Sequence, residues 1–278
     1  MTSDPDAPDP RFDAAATALQ DGDAERALSL ARKGAKQARR EGDDPLAADL
    51  LWLQGAALLE LADAPAAMAA LDEALRLAPD HLDAALDRAE ALFELCRFDE
   101  ARAAATALAT QAPGEARAHH LLGLLAERRG DWPEADRRLA RARKLDPEGF
   151  PRPVKLSRRD FDAAVERALD AIPEVVRRYL SNVPVTVEDL PADHDLVESD
   201  PPLPPTILGL FRGAPYGQKL SADPWSHLPS SIVLYQRNLE RAATSRDELE
   251  EEIATTLVHE VGHFLGLDED ELWARGLE

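Results

Sequence analysis

The sequence predicts a stack of α-helical hairpins followed by a small α+β domain. Prolines recur at one constant interval along the first half of the chain, at Pro45, Pro79, Pro113 and Pro147. Between these prolines the apolar residues follow a helical spacing that one short polar turn interrupts, so each unit is predicted to form two helices. Beyond residue 155, short alternating runs precede one long amphipathic stretch, which is typical of strands followed by a helix.

The composition indicates a folded, acidic protein. Of the 278 residues, 45% are hydrophobic and 31% are charged, and 32 Lys and Arg against 53 Asp and Glu give a formal net charge of -21. This charge would repel a phosphate backbone, so we expect no nucleic-acid partner. No stretch has the roughly 18 apolar residues of a membrane span. The single cysteine, Cys96, cannot form an internal disulfide and is expected as a small buried hydrophobe in a helix. We therefore expect a cytoplasmic protein without membrane attachment.

Small residues repeat at the same interval as the prolines. Two such series are present: Gly55, Ala89 and Gly123, and Ala67, Ala101 and Ala135. The pattern resembles the tetratricopeptide repeat (TPR) family, whose 34-residue unit has a small residue at its eighth position, alanine near its twentieth and proline near its end. The resemblance covers residues 48–81, 82–115 and 116–149. Residues 11–45 form a looser hairpin that is predicted to cap the stack, and the acidic, proline-rich residues 1–10 are predicted to be disordered.

The resemblance to TPR proteins implies a curved solenoid whose concave side binds a protein or an extended peptide. The positions that would line this groove include Trp52, Leu86, Glu90, Phe93, His120 and Glu127. This mixture differs from a basic clamp for acidic peptide tails. The alternative interpretation is that Trp52, Leu86 and Phe93 are buried between helices, as apolar helix residues usually are.

The second domain is predicted at residues 156–278, after a linker at 150–155 that contains two prolines. Its first helix follows a cap at Ser157 and should bend or split at Pro173. Strands are predicted at 183–188, 206–211 and 231–235. A last long helix begins after Ser245, which has capping-box spacing to Glu248, and ends at Gly266.

The last long helix contains the segment His259-Glu260-Val261-Gly262-His263. Two histidines four residues apart lie on one helix face and can both bind one zinc ion at about 2.0–2.1 Å. Glu260 can then act as general base on a zinc-bound water. The competing interpretation is that both histidines are ordinary surface residues.

A third zinc ligand must be a histidine or a carboxylate, because no second cysteine is available. The extended zincin pattern, HExxHxxGxx followed by a ligand, resembles this segment and implies Glu269, with Asp270 as the alternative. A competing interpretation is that Asp268 caps a short helix and that Glu271 completes a capping box. Both can hold at once.

Residues 156–278 as a whole resemble a family of small bacterial zincin-like metallopeptidases. The resemblance rests on the segments LSRRDFDAAVERALDAIP, VPVTVEDLP, ILGLFRGAP, SIVLYQRNL and TTLVHEVGHFLGLDEDEL. It implies a minimal α+β zincin fold, zinc ligation by His259 and His263, and a catalytic role for Glu260. Tyr235 is the first candidate for stabilising the transition state, ahead of three other side chains: Arg237, Tyr216 and His227.

The sequence thus predicts a zinc-dependent metallopeptidase with a TPR arm for protein interaction. The alternative is a non-catalytic interaction scaffold with a structural or vestigial zinc site. A scaffold without any metal is the third possibility.

Overall fold

The computed structural model describes residues 9–216 and 230–275, which form two compact units. The first unit comprises the described residues up to Phe150 together with Val197–Pro204, and the second comprises Pro151–Leu196 and the described residues from Pro205 onward. Residues 197–204, which the sequence predicts in the second domain, thus belong to the first unit. Within the described residues, no helix is long and apolar enough to cross a membrane.

The first unit consists of helical hairpins, which confirms the predicted repeat fold. Its helices are α1 Pro10–Gln20, α2 Ala24–Glu41, α3 Asp44–Glu60, α4 Ala64–Leu77, α5 Leu82–Glu94, α6 Phe98–Gln111, α7 Ala116–Arg128 and α8 Trp132–Leu145. Helix α1 begins at Pro10 with Asp9 as its cap, one residue before the predicted start of the capping hairpin. Helices α1, α3, α5 and α7 contact one another in series and form one layer.

The turns between paired helices need a left-handed residue at equivalent positions. Ala62, Cys96 and Gly130 follow one another at the repeat interval and have φ of 57°, 57° and 71°. A residue in the left-handed backbone conformation just after a helix lets the amides of the turn donate hydrogen bonds to the last carbonyl groups of the helix. Cys96 therefore lies in a turn and is half-buried, not in a helix as predicted, because the helix has already ended at Glu94.

The second unit is an α+β fold, as predicted. Its elements are α9 Arg158–Ala171, α10 Glu174–Arg177, a 3-10 turn Arg178–Asn182, β1 Val185–Glu188, α11 Asp193–Leu196, β2 Gly209–Arg212, β3 Ser231–Tyr235, α12 Gln236–Ala242, α13 Arg246–Leu265 and α14 Glu269–Trp273. The first helix ends at Ala171 and a short one begins after Pro173, because proline cannot donate a helical hydrogen bond.

The three strands form one sheet in the order β1-β3-β2. β1 is parallel to β3, and β2 is antiparallel to β3, with Gly209 opposite Leu234 and Phe211 opposite Ile232. Ile232 and Leu234 belong to the same buried apolar cluster as Phe161 of α9 and several residues of α13. The sheet face that carries them is therefore the one that packs on these helices, and the edge strand β2 lies against α13.

Candidate metal centre

Helix α13 positions the predicted histidine pair. Ser245 accepts a hydrogen bond from the Glu248 amide at the start of the helix, and Gly266 ends it with φ +93°. The buried stripe of the helix is Leu249, Ile253, Leu257, Val261 and Phe264. This stripe fastens the helix to the core and leaves His259 and His263 half-exposed on another face.

The structure brings three potential metal ligands together. His259 Nε2 lies 3.0 Å from His263 Nε2. Glu269 places Oε1 at 3.3 Å from His263 Nε2 and Oε2 at 3.7 Å from His259 Nε2. Ligands in a zinc tetrahedron with bonds of about 2.0–2.1 Å lie about 3.3 Å apart, so these donors fit that ion in type and in spacing. Among the described residues, the group consists of His259, His263 and Glu269 and does not include Asp270.

A second contact orients the ring of His263. Its Nδ1 lies 3.1 Å from the Leu267 carbonyl oxygen. A ring that donates from Nδ1 to this carbonyl keeps its Nε2 lone pair available for a metal ion. The turn after Gly266 supplies this carbonyl, since the Leu267 amide bonds back to Gly262.

Helix α14 presents Glu269. Asp268 caps it and forms a capping box with Glu271, as the competing interpretation of these acids predicted. Leu272 is fully buried, whereas 75% of the Glu269 side chain is exposed. The cap and the ligand position are therefore compatible, because Asp268 starts the helix whose first residue is Glu269.

Glu260 is buried between α13 and the edge strand. It is 6% exposed, and burial raises the pKa of its carboxyl, an effect that His259 and His263 oppose. Gly209 of β2 lies directly against it, because a Cβ atom at Gly209 would stand 3.0 Å from Glu260 Cγ. The strand thus covers the carboxylate side chain.

Tyr235 does not lie at this site. Its side chain is fully buried, and it alternates along β3 with Leu234, which packs towards α13. It lies near Arg212, which pairs with Asp195 and Glu188, and burial raises the pKa of its hydroxyl. Strand alternation therefore sends it to the other face of the sheet, and it is not a candidate for transition-state stabilisation.

The other predicted stabilisers have different positions. Arg237 belongs to α12, and His227 lies outside the described residues. Tyr216 is half-exposed, and its ring stands 5.8 Å from that of Phe264, next to His263 in the chain.

The predicted groove residues lie in α3, α5 and α7, but several are not free to bind. Leu86, Phe93 and Glu127 are 2%, 4% and 4% exposed, which favours the buried alternative for the two apolar residues. The other three groove residues contact side chains of the same unit. Trp52 Nε1 donates to Asp87 at 2.7 Å, Glu90 accepts from Arg117 at 2.9 and 3.1 Å, and His120 stacks on Phe150 at 4.5 Å.

Three residues that shape the site are not predicted from the sequence: Gly209, Gly262 and Leu272. A Cβ atom at Gly262 would overlap the Leu272 side chain. The glycine between the histidines is visible in the sequence, but its contact with a residue beyond the end of the helix becomes visible only in the structure.

Comparisons with known proteins agree with the two-part fold. Residues 180–277 match the model of the zincin-like metallopeptidase family, and residues 58–126 match a tetratricopeptide repeat model. No curated protein matches the chain.

Among solved structures, the chain is similar to two structures of MamA. One is described as the RS-1 ArsTM double mutant, and the other as MamA from residue 41 to the end from Desulfovibrio magneticus RS-1. Each match has 28% sequence identity and a TM-score of 0.41, and it covers 51% of this chain and 79% of the MamA chain. YrrB, described as a TPR protein with an unusual peptide-binding site, is 20% identical over 50% of this chain and 86% of its own, with a TM-score of 0.34. By the family models, residues 58–126 are similar to tetratricopeptide repeats and residues 180–277 are similar to zincin-like metallopeptidases.

Proposed function

We propose that this protein is a zinc-dependent peptide hydrolase whose repeats bind a protein or peptide partner. The observation that carries the proposal is the convergence of His259, His263 and Glu269, with the buried carboxylate of Glu260 next to the first ligand. Three protein donors with one open position are typical of catalytic zinc sites, whereas structural sites use four. The donor number within the described residues therefore disfavours the purely structural alternative.

The proposed roles follow from position. His259, His263 and Glu269 would hold a zinc ion, which would supply Lewis acidity to a bound water and to a peptide carbonyl. Glu260 takes a proton from the attacking water and returns it to the leaving amine nitrogen. Its burial against Gly209 keeps the side chain in one orientation, which general-base catalysis requires.

The edge strand supports a peptide as substrate. Within the described residues, β2 pairs with β3 on one side only, and it passes directly over Glu260. An extended peptide can add to such an edge through main-chain hydrogen bonds. We infer that a substrate paired with β2 would run past Glu260.

The repeats would act by raising the local concentration of a partner or substrate, without new chemistry. Such a partner would use positions of α3, α5 and α7 that remain accessible. A cytoplasmic location stays a prediction, based on the single cysteine and the composition.

The test compares Glu260→Gln with Glu251→Gln, a matched change at an exposed glutamate of the same helix. Cleavage of a quenched fluorescent peptide library and zinc content are measured on the same samples. We expect Glu260→Gln to lose at least about 100-fold in activity with its zinc retained. Glu251→Gln should behave as wild type. Full activity in Glu260→Gln would contradict the proposed role.

A further inference from the structure

Only one side chain of helix α14 is buried. Leu272 is fully buried, while Glu269, Asp270, Glu271 and Trp273 are all exposed. The capping box at Asp268 determines where the helix starts but does not attach it to the rest of the unit. The burial of Leu272 is therefore the main apolar contribution to the docking of α14.

Leu272 packs where Gly262 has no side chain. The position of a Cβ atom on Gly262 would overlap Leu272 Cδ2, and it would also lie 3.5 Å from Leu272 Cγ. Because Leu272 is fully buried, its side chain has little space into which it can turn. An added methyl group would therefore push α14 away from α13.

Such a displacement would reach the third ligand. Glu269 begins α14, one helical turn before Leu272, and its oxygens stand 3.3 and 3.7 Å from the two histidine Nε2 atoms. Zinc–ligand distances lie within about 0.2 Å of their standard values, so a ligand that moves further away no longer binds well. A small shift of α14 would leave the two histidines alone to hold the ion.

We propose that Gly262 is a positioning residue for the third ligand: its missing side chain lets Leu272 close on α13, and this contact holds Glu269 at the histidine pair. The inference deepens the proposed zinc site and rests on it. Gly262 faces Leu272 and is not itself a ligand.

The test measures zinc affinity of the full chain by competition with a fluorescent chelator. Gly262→Ala should bind zinc about 10–100-fold more weakly, the range typical of losing the support of a ligand. Amide hydrogen exchange in residues 266–275 should become faster in the same variant. Gly114→Ala is the matched control, because a Cβ atom there meets nothing within 4 Å.

Two further variants test the same contact in case Gly262→Ala folds poorly. Leu272→Ala should also weaken zinc binding. The double variant Gly262→Ala/Leu272→Ala should bind no more weakly than Gly262→Ala, since the smaller residue 272 makes room for the added methyl group. Strictly additive losses would overturn the proposed contact.

Glu269→Gln separates the positioning role from the zinc site itself. A loss of affinity in Glu269→Gln with wild-type affinity in Gly262→Ala would overturn the positioning role and leave the site intact. Wild-type affinity in Glu269→Gln would instead contradict the ligand assignment on which the inference rests.

Discussion

The two units of this protein use glycine for different purposes. In the repeats, a Cβ atom at Gly55 would stand 2.5 Å from Leu71 Cγ, and one at Gly123 would stand 2.6 Å from Leu139 Cγ. Each leucine lies on the partner helix of the hairpin that contains its glycine. In the second unit, Gly209 and Gly262 make room for Glu260 and for the helix that carries Glu269.

The middle repeat shows what the repeat glycines do. At the positions equivalent to Gly55 and Leu71 stand Ala89 and Ala105, both fully buried. A larger residue on one helix is thus matched by a smaller one on the other, so the volume between the helices is conserved. Gly55 and Gly123 thus serve packing between paired helices, whereas we propose that Gly209 and Gly262 serve the geometry of the metal centre.

Zinc should stabilise the second unit against thermal unfolding and should not stabilise the repeats, and we expect this difference to be the largest one. Removing zinc with a strong chelator should lower the unfolding temperature of the second unit and leave that of the repeats unchanged. A ligand at about 1,000 times its dissociation constant stabilises the folded state by about 4 kcal/mol. Scanning calorimetry checks this, with His259→Ala as a variant that should not respond to the chelator. An equal shift of all transitions would show that the metal does not stabilise the second unit alone.

Gly209→Ala should reduce peptide hydrolysis about 10–100-fold without changing zinc affinity. The added Cβ would stand 2.7 Å from Thr256 Cγ2 and 3.0 Å from Glu260 Cγ, so the glutamate must move. A misplacement of about 1 Å at a reacting group costs on this order. Steady-state kinetics and chelator competition are measured together, and an equal loss of zinc affinity would contradict a role confined to Glu260.

Gly55→Ala should destabilise the repeats by about 1–3 kcal/mol through overpacking and should leave zinc affinity unchanged. The double variant Gly55→Ala/Leu71→Ala reproduces the pair found in the middle repeat and should recover part of this loss. Urea unfolding of both variants gives the free energies. No recovery in the double variant would show that the glycine acts through something other than Leu71.

The smallest expected effect concerns Glu94 of α5. Burial, with a contribution from the nearby Glu90, raises the pKa of its carboxyl from 4.5 to about 7. Between these values the folded state binds more protons than the unfolded state, so stability falls as pH rises. Glu94→Gln should therefore gain stability relative to wild type as the pH rises from 4, where both side chains are neutral, to 8. Urea unfolding at the two pH values checks this, with Glu25→Gln as the control at an exposed position.

The repeats could be predicted from sequence because their contacts are local and periodic. The proline interval located the units, and equivalent pairs on successive hairpins repeat the same packing. The histidine pair could also be predicted from the sequence, because two residues four positions apart lie on the same face of any helix.

The rest of the second unit depends on contacts between elements distant in the chain. β1 and β2 are neighbours in sequence, but β3 lies between them in the sheet. The position of Tyr235 near the end of a strand favours a place at the site, whereas alternation along β3 directs its side chain to the opposite face of the sheet. The close contacts of Gly209 and Gly262 likewise depend on which element packs against each residue.

We propose that His259, His263 and Glu269 hold one zinc ion, and elemental analysis of the purified protein tests this. Wild type and His259→Ala are compared without added metal. We expect about one zinc per wild-type chain and none in the variant. Absence of zinc from both proteins, even after zinc is supplied and the excess removed, would contradict it.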